Sequence, residues 1–331
     1  CNNEGEDARL YEAVKACSDF AIALGINIPT GKDSLSMKQK YPDGEHVIAP
    51  GTVIISAAGN CTNINKVVEP VLQKNAGSVY YINLSKDAFR LGGSSFAQVL
   101  NKIGAEVPTV TDTAYFAKAF NAIQEWISND LIAAGHDIGA GGLITTLLEL
   151  CFADVHLAAN YDLSGLNEAD TVKALFNENI AVVLQATDDG AFETALKDAG
   201  IDAVKIGTVI EGADVSFKNK EDIFTFNVAA ARDTWYKTSF LLDSRQTKNG
   251  LAKARYENYK NQPLQYHFPS SFTGKLNYLP LRRGGRGEAP KAAVIREKGS
   301  NSEREMANAM YLAGFDVKDV HMTDLISGRE T

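Results

Sequence analysis

Apolar and polar positions alternate with two different periods along this chain, and the switches between them divide it into four stretches. Up to about residue 68, Leu10, Val14, Cys17 and Ile22 fall on one side of a helix predicted from Asp7 to Leu24; a Gly/Pro loop follows, then a strongly apolar strand, GTVIISAAGN. From about 75 to 240, short apolar runs such as SVYYINL, IAVVLQA and AVKIGTVI alternate with helical patterns such as SSFAQVLNKIG, TAYFAKAFNAIQEWISN and AFETALKDAG, which predicts a mixed α/β domain. Residues 241–289 carry polar and aromatic positions and then PLRRGGRGEAP, whose Gly, Pro and Arg density reads as a linker. From Lys291 the pattern is apolar run, Gly/Ser/Asn turn, amphipathic stretch, Gly, apolar run: a β-loop-α-loop-β unit. One such unit cannot cover both faces of its sheet, and Cys1 stands where a Met is expected with no targeting segment before it. The chain is therefore expected to be a piece of a longer protein.

Composition narrows the class of function. The 331 residues suggest about two domains, and a 45% hydrophobic content suffices for a core. No apolar run approaches the roughly twenty residues that span a bilayer. A net charge of -8 with a pI near 5.3 argues against general nucleic-acid binding, which needs a basic surface. Cys1, Cys17, Cys61 and Cys151 show no CxxC pairing and no His at ligand spacing, so free thiols in a reducing cytoplasm are expected.

Candidate chemistry lies in the loops. In Ile28-Pro29-Thr30-Gly31-Lys32-Asp33-Ser34-Leu35-Ser36-Met37, Gly31 permits close backbone approach, Lys32 offers a charge to phosphate, Asp33 can hold a cation and Ser34 can donate to an oxyanion. That set suits a magnesium-phosphate site or, equally, a polar turn. Leu91-Gly92-Gly93-Ser94-Ser95 precedes a helix and offers amides to an anion, although the favoured reading is that Ser94 or Ser95 only caps the helix. Ala134-Gly135-His136-Asp137-Ile138-Gly139-Ala140-Gly141-Gly142-Leu143 leads into the apolar helix ITTLLELCF. There Gly139, Gly141 and Gly142 suit a phosphate and Asp137 its metal; the other reading is a tight turn with His136 satisfied in the core. Phe176-Asn177-Glu178-Asn179 reads mainly as a solvated turn, with a role for Glu178 at the sheet edge as the other option. Arg296-Glu297-Lys298-Gly299-Ser300-Asn301 reads by default as a generic strand-to-helix loop, although it sits where open α/β sheets place ligands.

Taken in order, GEDARLYEAVKA, IPTGKDSLSMK, LGGSSFAQVL, GHDIGAGGLITTLLELCFA, LFNENIAVVLQ and KAAVIREKGSNSEREMANAMYLAGFDV resemble the large formylglycinamide ribonucleotide amidotransferases nearly end to end, with GKDSLSM and REKGSNSEREMA the most specific elements. The resemblance implies an α/β (α+β) fold of the aminoimidazole ribonucleotide synthetase type. Residues 1–68 would be the C-terminal part of the second N-type subdomain, 75–240 the second C-type subdomain, 241–289 a linker and 290–331 the start of a class I glutaminase. It also implies the conversion of formylglycinamide ribonucleotide, ATP and glutamine to formylglycinamidine ribonucleotide, with Mg2+ and ATP/ADP bound in the cytoplasm. The rest of the same polypeptide, namely the first synthetase repeat and the glutaminase, would be the partner.

By the same resemblance, Gly31 approaches ATP, Lys32 or Asp33 handles phosphate or Mg2+, and Ser34 reaches the substrate. Asp137 matches a magnesium ligand of an auxiliary ADP site, and Gly139 the position of a nucleotide-contacting serine. The chain departs from the family in two places. Lys32 stands where the small form has Asn, and HDIGAGG replaces HD-x-SDGG, which leaves only backbone amides at Gly139 and Ala140. The glutaminase Cys, His and acid would lie beyond Thr331, so this chain should not hydrolyse glutamine. A noncatalytic scaffold with a degenerate nucleotide site, supporting the catalytic repeat, is the alternative.

Overall fold

A computed structural model describes residues 4–31, 37–261, 267–275 and 289–330. The chain divides into two units, 1–272 and 273–331.

In the first unit, helix α1 (Glu6–Leu24) begins with Glu6 and Asp7, which suit the positive end of its dipole, and ends at Gly25 in the left-handed region. It buries no residue fully, although Phe20 meets Phe116 edge to face at 5.5 Å. Two short antiparallel strands follow, β1 (Lys38–Lys40) and β2 (His46–Ile48). The apolar run at 51–60 forms no strand; Ile54 stays 83% exposed, because no neighbouring strand pairs with it among the described residues.

The rest of this unit is built on β3 (Val79–Asn83), α2 (Ser95–Val99), α3 (Thr113–Ser128), β4 (Ile132–Asp137), α4 (Gly142–Phe152), β5 (Leu157–Asp162), α5 (Thr171–Phe176), β6 (Ala181–Ala186), α6 (Asp189–Ala199), β7 (Val204–Glu211), β8 (Asp214–Asn219) and β9 (Asp222–Asn227). The strands form one sheet in the order β4-β6-β3-β7-β5-β8-β9, antiparallel throughout except at β5–β8. Successive side chains of β3 point to opposite faces. Val79 and Tyr81 therefore join the core under α4, with Leu143, Leu147 and Leu150, whereas Tyr80 and Ile82 join the core under α3 and α6, with Ile123, Trp126 and Phe192.

Besides the missing strand at 51–60, two further expectations are revised. The helix predicted over 94–104 stops at Val99, because Asn101 and Gly104 adopt positive φ and the chain turns back so that Gly92 and Gly93 donate to the carbonyls of Glu106 and Ile103. Of the stretch 241–289 read as linker, the first part continues α7 (Val228–Gln246) and turns into α8 (Leu251–Asn258), while most of PLRRGGRGEAP lies outside the described residues. Tyr236 stacks on Tyr259 at 3.8 Å and Phe240 on Tyr256 at 4.7 Å, so aromatic packing holds the hairpin closed.

In the second unit, β10 (Lys291–Arg296), α9 (Glu303–Leu312) and β11 (Asp316–His321) form the expected βαβ unit with parallel strands, followed by α10 (Met322–Ile326). Arg296 Nε reaches Asp319 at 2.8 Å beside the strand ends. Among the described residues no helix is long and apolar enough to cross a membrane.

Candidate functional site

The clearest concentration of polar chemistry is the loop from β4 to α4. β4 carries His136 and Asp137 to its carboxyl end, and Gly139 to Gly142 turn the chain into α4. Gly141 and Gly142 both adopt positive φ, +95° and +75°. At Gly142 a Cβ would lie 2.6 Å from the carbonyl carbon of Phe176, so α4 packs against the 176–177 backbone only because the residue is glycine. A Cβ at Gly139 would meet nothing within 4 Å.

The amides of this loop are partly committed within the protein. Gly141 N–H donates to Glu178 Oε1 at 2.8 Å, and Gly142 N–H to the Gly139 carbonyl at 3.1 Å. The same Glu178 oxygen accepts from Ser95 N–H at 2.8 Å, so one carboxylate joins the starts of α2 and α4. Negative charge is favoured there by the amides and by the helix dipole of α4. The reading of 176–179 as a solvated turn is thereby corrected. Asn177 and Asn179 are fully buried, and Asn177 donates to the carbonyls of Lys173 and Ala174 while Asn179 donates to that of Ala88. The capping role of Ser94 holds: it is buried and accepts from Ala97 N–H at 3.2 Å.

A second network runs from Asp137 into the protein. His136 Nδ1 lies 3.2 Å from Asp137 Oδ1, and His136 Nε2 lies 3.1 Å from Glu149 Oε2 on α4. The other Glu149 oxygen accepts from the Trp235 indole N–H at 2.7 Å. The Glu149 bond raises the imidazole pKa above its ordinary value, against the opposing effect of burial. Although close to Asp137, the buried Nδ1 atom makes no hydrogen bond among the described residues. The Asp137 side chain is 82% exposed. Beside Trp235 an apolar groove of about 400 Å³ runs between α4 and α7, lined by Thr145, Leu148, Phe152, Phe226 and Ala230.

Of the other sequence candidates, Gly31 is exposed with open space around it, while Lys32, Asp33 and Ser34 lie outside the described residues. Glu149 and Trp235 were not singled out by the sequence. Their signal, a Glu seven residues into an apolar helix and a Trp on a distant one, is too generic to pair them. Cys151 is buried in the core, which pushes its thiol up to about 12, so it is no nucleophile.

Comparison with known proteins supplies three family matches in order along the chain. Residues 1–60 match the FGAR-AT PurM_N-like domain, 81–220 the C-terminal domain of AIR synthase related proteins, and 289–331 the CobB/CobQ-like glutamine amidotransferase domain. These fit the observed mixed α/β sheet domain and separate βαβ unit. Over 98% of its length the chain is 37% identical to a probable chloroplastic/mitochondrial phosphoribosylformylglycinamidine synthase of Arabidopsis thaliana, and it spans 23% of that relative. Among solved structures, T. maritima PurL complexed with FGAR is similar over 51% of this chain and 30% of its own, at 19% identity and a TM-score of 0.41. A thiamine-monophosphate kinase from Stenotrophomonas maltophilia K279a is similar over 47% and 54% of the two chains, at 12% identity and a TM-score of 0.30.

Proposed function

We propose that this chain is a segment of an ATP-dependent ligase of the phosphoribosylformylglycinamidine synthase type. Such an enzyme converts formylglycinamide ribonucleotide, ATP, glutamine and water to formylglycinamidine ribonucleotide, ADP, phosphate and glutamate. The observation that carries this reading is the succession of three domain matches in one chain, with 37% identity to one such relative across 98% of the chain. Residues 1–68 and 75–240 act as an N-type and a C-type synthetase subdomain, 241–289 connect them onward, and 290–331 open the glutaminase. The partner is the rest of the same polypeptide. Alone, the chain is inactive, and it works in the cytoplasm.

In this reading Gly31 to Ser34 serve nucleotide and substrate, with Lys32 as the phosphate cation, since an ammonium suits phosphate better than metal. Asp137 and the Gly139–Gly142 turn form the auxiliary nucleotide site. Asp137 fits Mg2+, which takes one or two carboxylates and fills its shell with water and phosphate oxygens. Its carboxylate is well exposed beside the turn, and no cluster of three or more protein ligands occurs among the described residues. Bound there, Mg2+ would neutralise phosphate charge. The internal bonds of the Gly141 and Gly142 amides limit the nucleotide contacts open to those two positions. That observation favours, as a second reading, a scaffold whose nucleotide site has degenerated.

In the complete enzyme, Lys32→Ala and Ser34→Ala are each expected to cut synthase activity strongly while glutaminase activity persists. Near-normal synthase rates in both variants would sink the active-site assignment. Calorimetric titration of the chain with Mg-ADP separates the two readings, since the scaffold gives no binding.

A further inference from the structure

The buried Nδ1 of His136 is an orphan with a carboxylate oxygen 3.2 Å away, and the other ring nitrogen is held by a carboxylate. We infer that His136 Nδ1 and Asp137 Oδ1 together form a two-point divalent-cation site, with Glu149 as the positioning residue that holds the imidazole from behind. The inference rests on the nucleotide-site reading of Asp137 and adds a ligand to it.

Three features of the geometry converge. Cis ligands at about 2.1 Å from a small octahedral cation stand roughly 3 Å apart, close to the observed separation. A metal-binding histidine commonly donates its second ring N–H to a carboxylate, which fixes the tautomer and leaves the other nitrogen's lone pair for the metal. Glu149 Oε2 stands at the right atom, 3.1 Å from Nε2, and Trp235 holds Oε1 of the same carboxylate, so Glu149 cannot rotate without losing a bond. The chain is therefore Trp235 to Glu149 to His136, ending on the cation. No third protein ligand is clustered there among the described residues, so water or phosphate oxygens complete the shell. An imidazole nitrogen beside a carboxylate suits Mn2+ and later transition ions better than Mg2+ alone would require. The competing arrangement is an ion pair, in which a protonated His136 faces Asp137 and excludes the cation; metal binding would have to displace that proton.

Mn2+ distinguishes them. The full chain is titrated with Mn2+, without and with ADP, and bound ion is followed by electron paramagnetic resonance. The expected result is binding with nitrogen hyperfine coupling from His136, lost in His136→Ala and Asp137→Asn. Glu149→Gln should weaken binding by roughly 10- to 100-fold with the nitrogen coupling retained. A purely structural role for Glu149 would not move affinity at unchanged helix content, and a fold lost in His136→Ala is bypassed because the coupling is read on the unaltered chain. Bound Mn2+ without nitrogen coupling, or no bound Mn2+ at all, overturns the site. Neither result decides the nucleotide-site reading, which the Mg-ADP titration tests separately, or the Gly31 to Ser34 assignment, which the Lys32 and Ser34 assays test.

Discussion

Residues 4–68 and the sheet domain after them carry similar hydrophobic patterns and end in opposite states. Helix α1 shows apolar positions at helical spacing, yet Tyr11, Val14 and Ile22 are more than half exposed and none of its residues is fully buried. Helix α3 has the same kind of pattern and buries Ala119, Ala122, Ile123 and Trp126 against the sheet. Likewise the run at 53–55 is as apolar as β3, but Val79 to Ile82 sit between two neighbouring strands and two layers of helix, whereas among the described residues Val53, Ile54 and Ile55 have neither. A periodic pattern states which face can be buried; the free energy comes only when a second surface removes that face from water.

The widest expected contrast is in the cores. Leu147→Ala, at a fully buried position on α4, should lower the unfolding free energy by about 2–5 kcal/mol in urea titrations, while Ile54→Ala should change it by no more than about 0.5 kcal/mol. Equal losses would show that residues 4–68 pack as tightly as the sheet domain, and the contrast would collapse. Next comes the backbone. Gly142→Ala places a Cβ against the Phe176 carbonyl at φ +75° and should cost more than about 1 kcal/mol, measured by the same titration; Gly31→Ala, in open space, should stay within about 0.5 kcal/mol.

Acid sharpens the comparison further. Burial opposes ionisation of Asp189, but Lys205 and the amide and hydroxyl of Ser78 hold it down to about 2. A depressed folded pKa adds stability above the ordinary carboxylate value and loses it as pH falls through the folded value. The sheet domain should therefore lose stability between about pH 4 and 2, and Asp189→Asn should flatten that part of the profile in thermal melts. The smallest effect belongs to α1, where Lys15 and Asp19 pair one turn apart in solvent. Lys15→Ala should change stability by less than about 0.5 kcal/mol.

Much of the architecture was legible in the residues. The strands around SVYYINL, IAVVLQA and AVKIGTVI, the helix from Thr113 and the βαβ unit after Lys291 all stand where periodicity places them. What failed was whatever needed a partner. GTVIISAAGN has the residues of a strand and, among the described residues, no strand to pair with, and the helix begun at Ser95 ends after Val99 because its chain turns back onto Gly92 and Gly93. In the candidate site, His136, Asp137 and the glycines were legible because a Gly-rich turn between a strand and a helix is a local signal. Glu178 was misjudged for the opposite reason: its two amide partners come from residues 83 and 37 positions away.

The sequence alone determined the period of most strands and helices of the sheet domain and of the βαβ unit, the order of the candidate loops, the resemblance to one family and the glycines at the start of α4. These are local properties, set by side-chain alternation, backbone sterics and residue identity at short range. Only the tertiary structure decided that Glu178 satisfies two helix starts, that Glu149 and Trp235 stand behind His136, and that α1 and the run at 53–55 remain in water. Each depends on groups far apart in the chain meeting, or failing to meet, at hydrogen-bonding or van der Waals distance, and no periodicity encodes that.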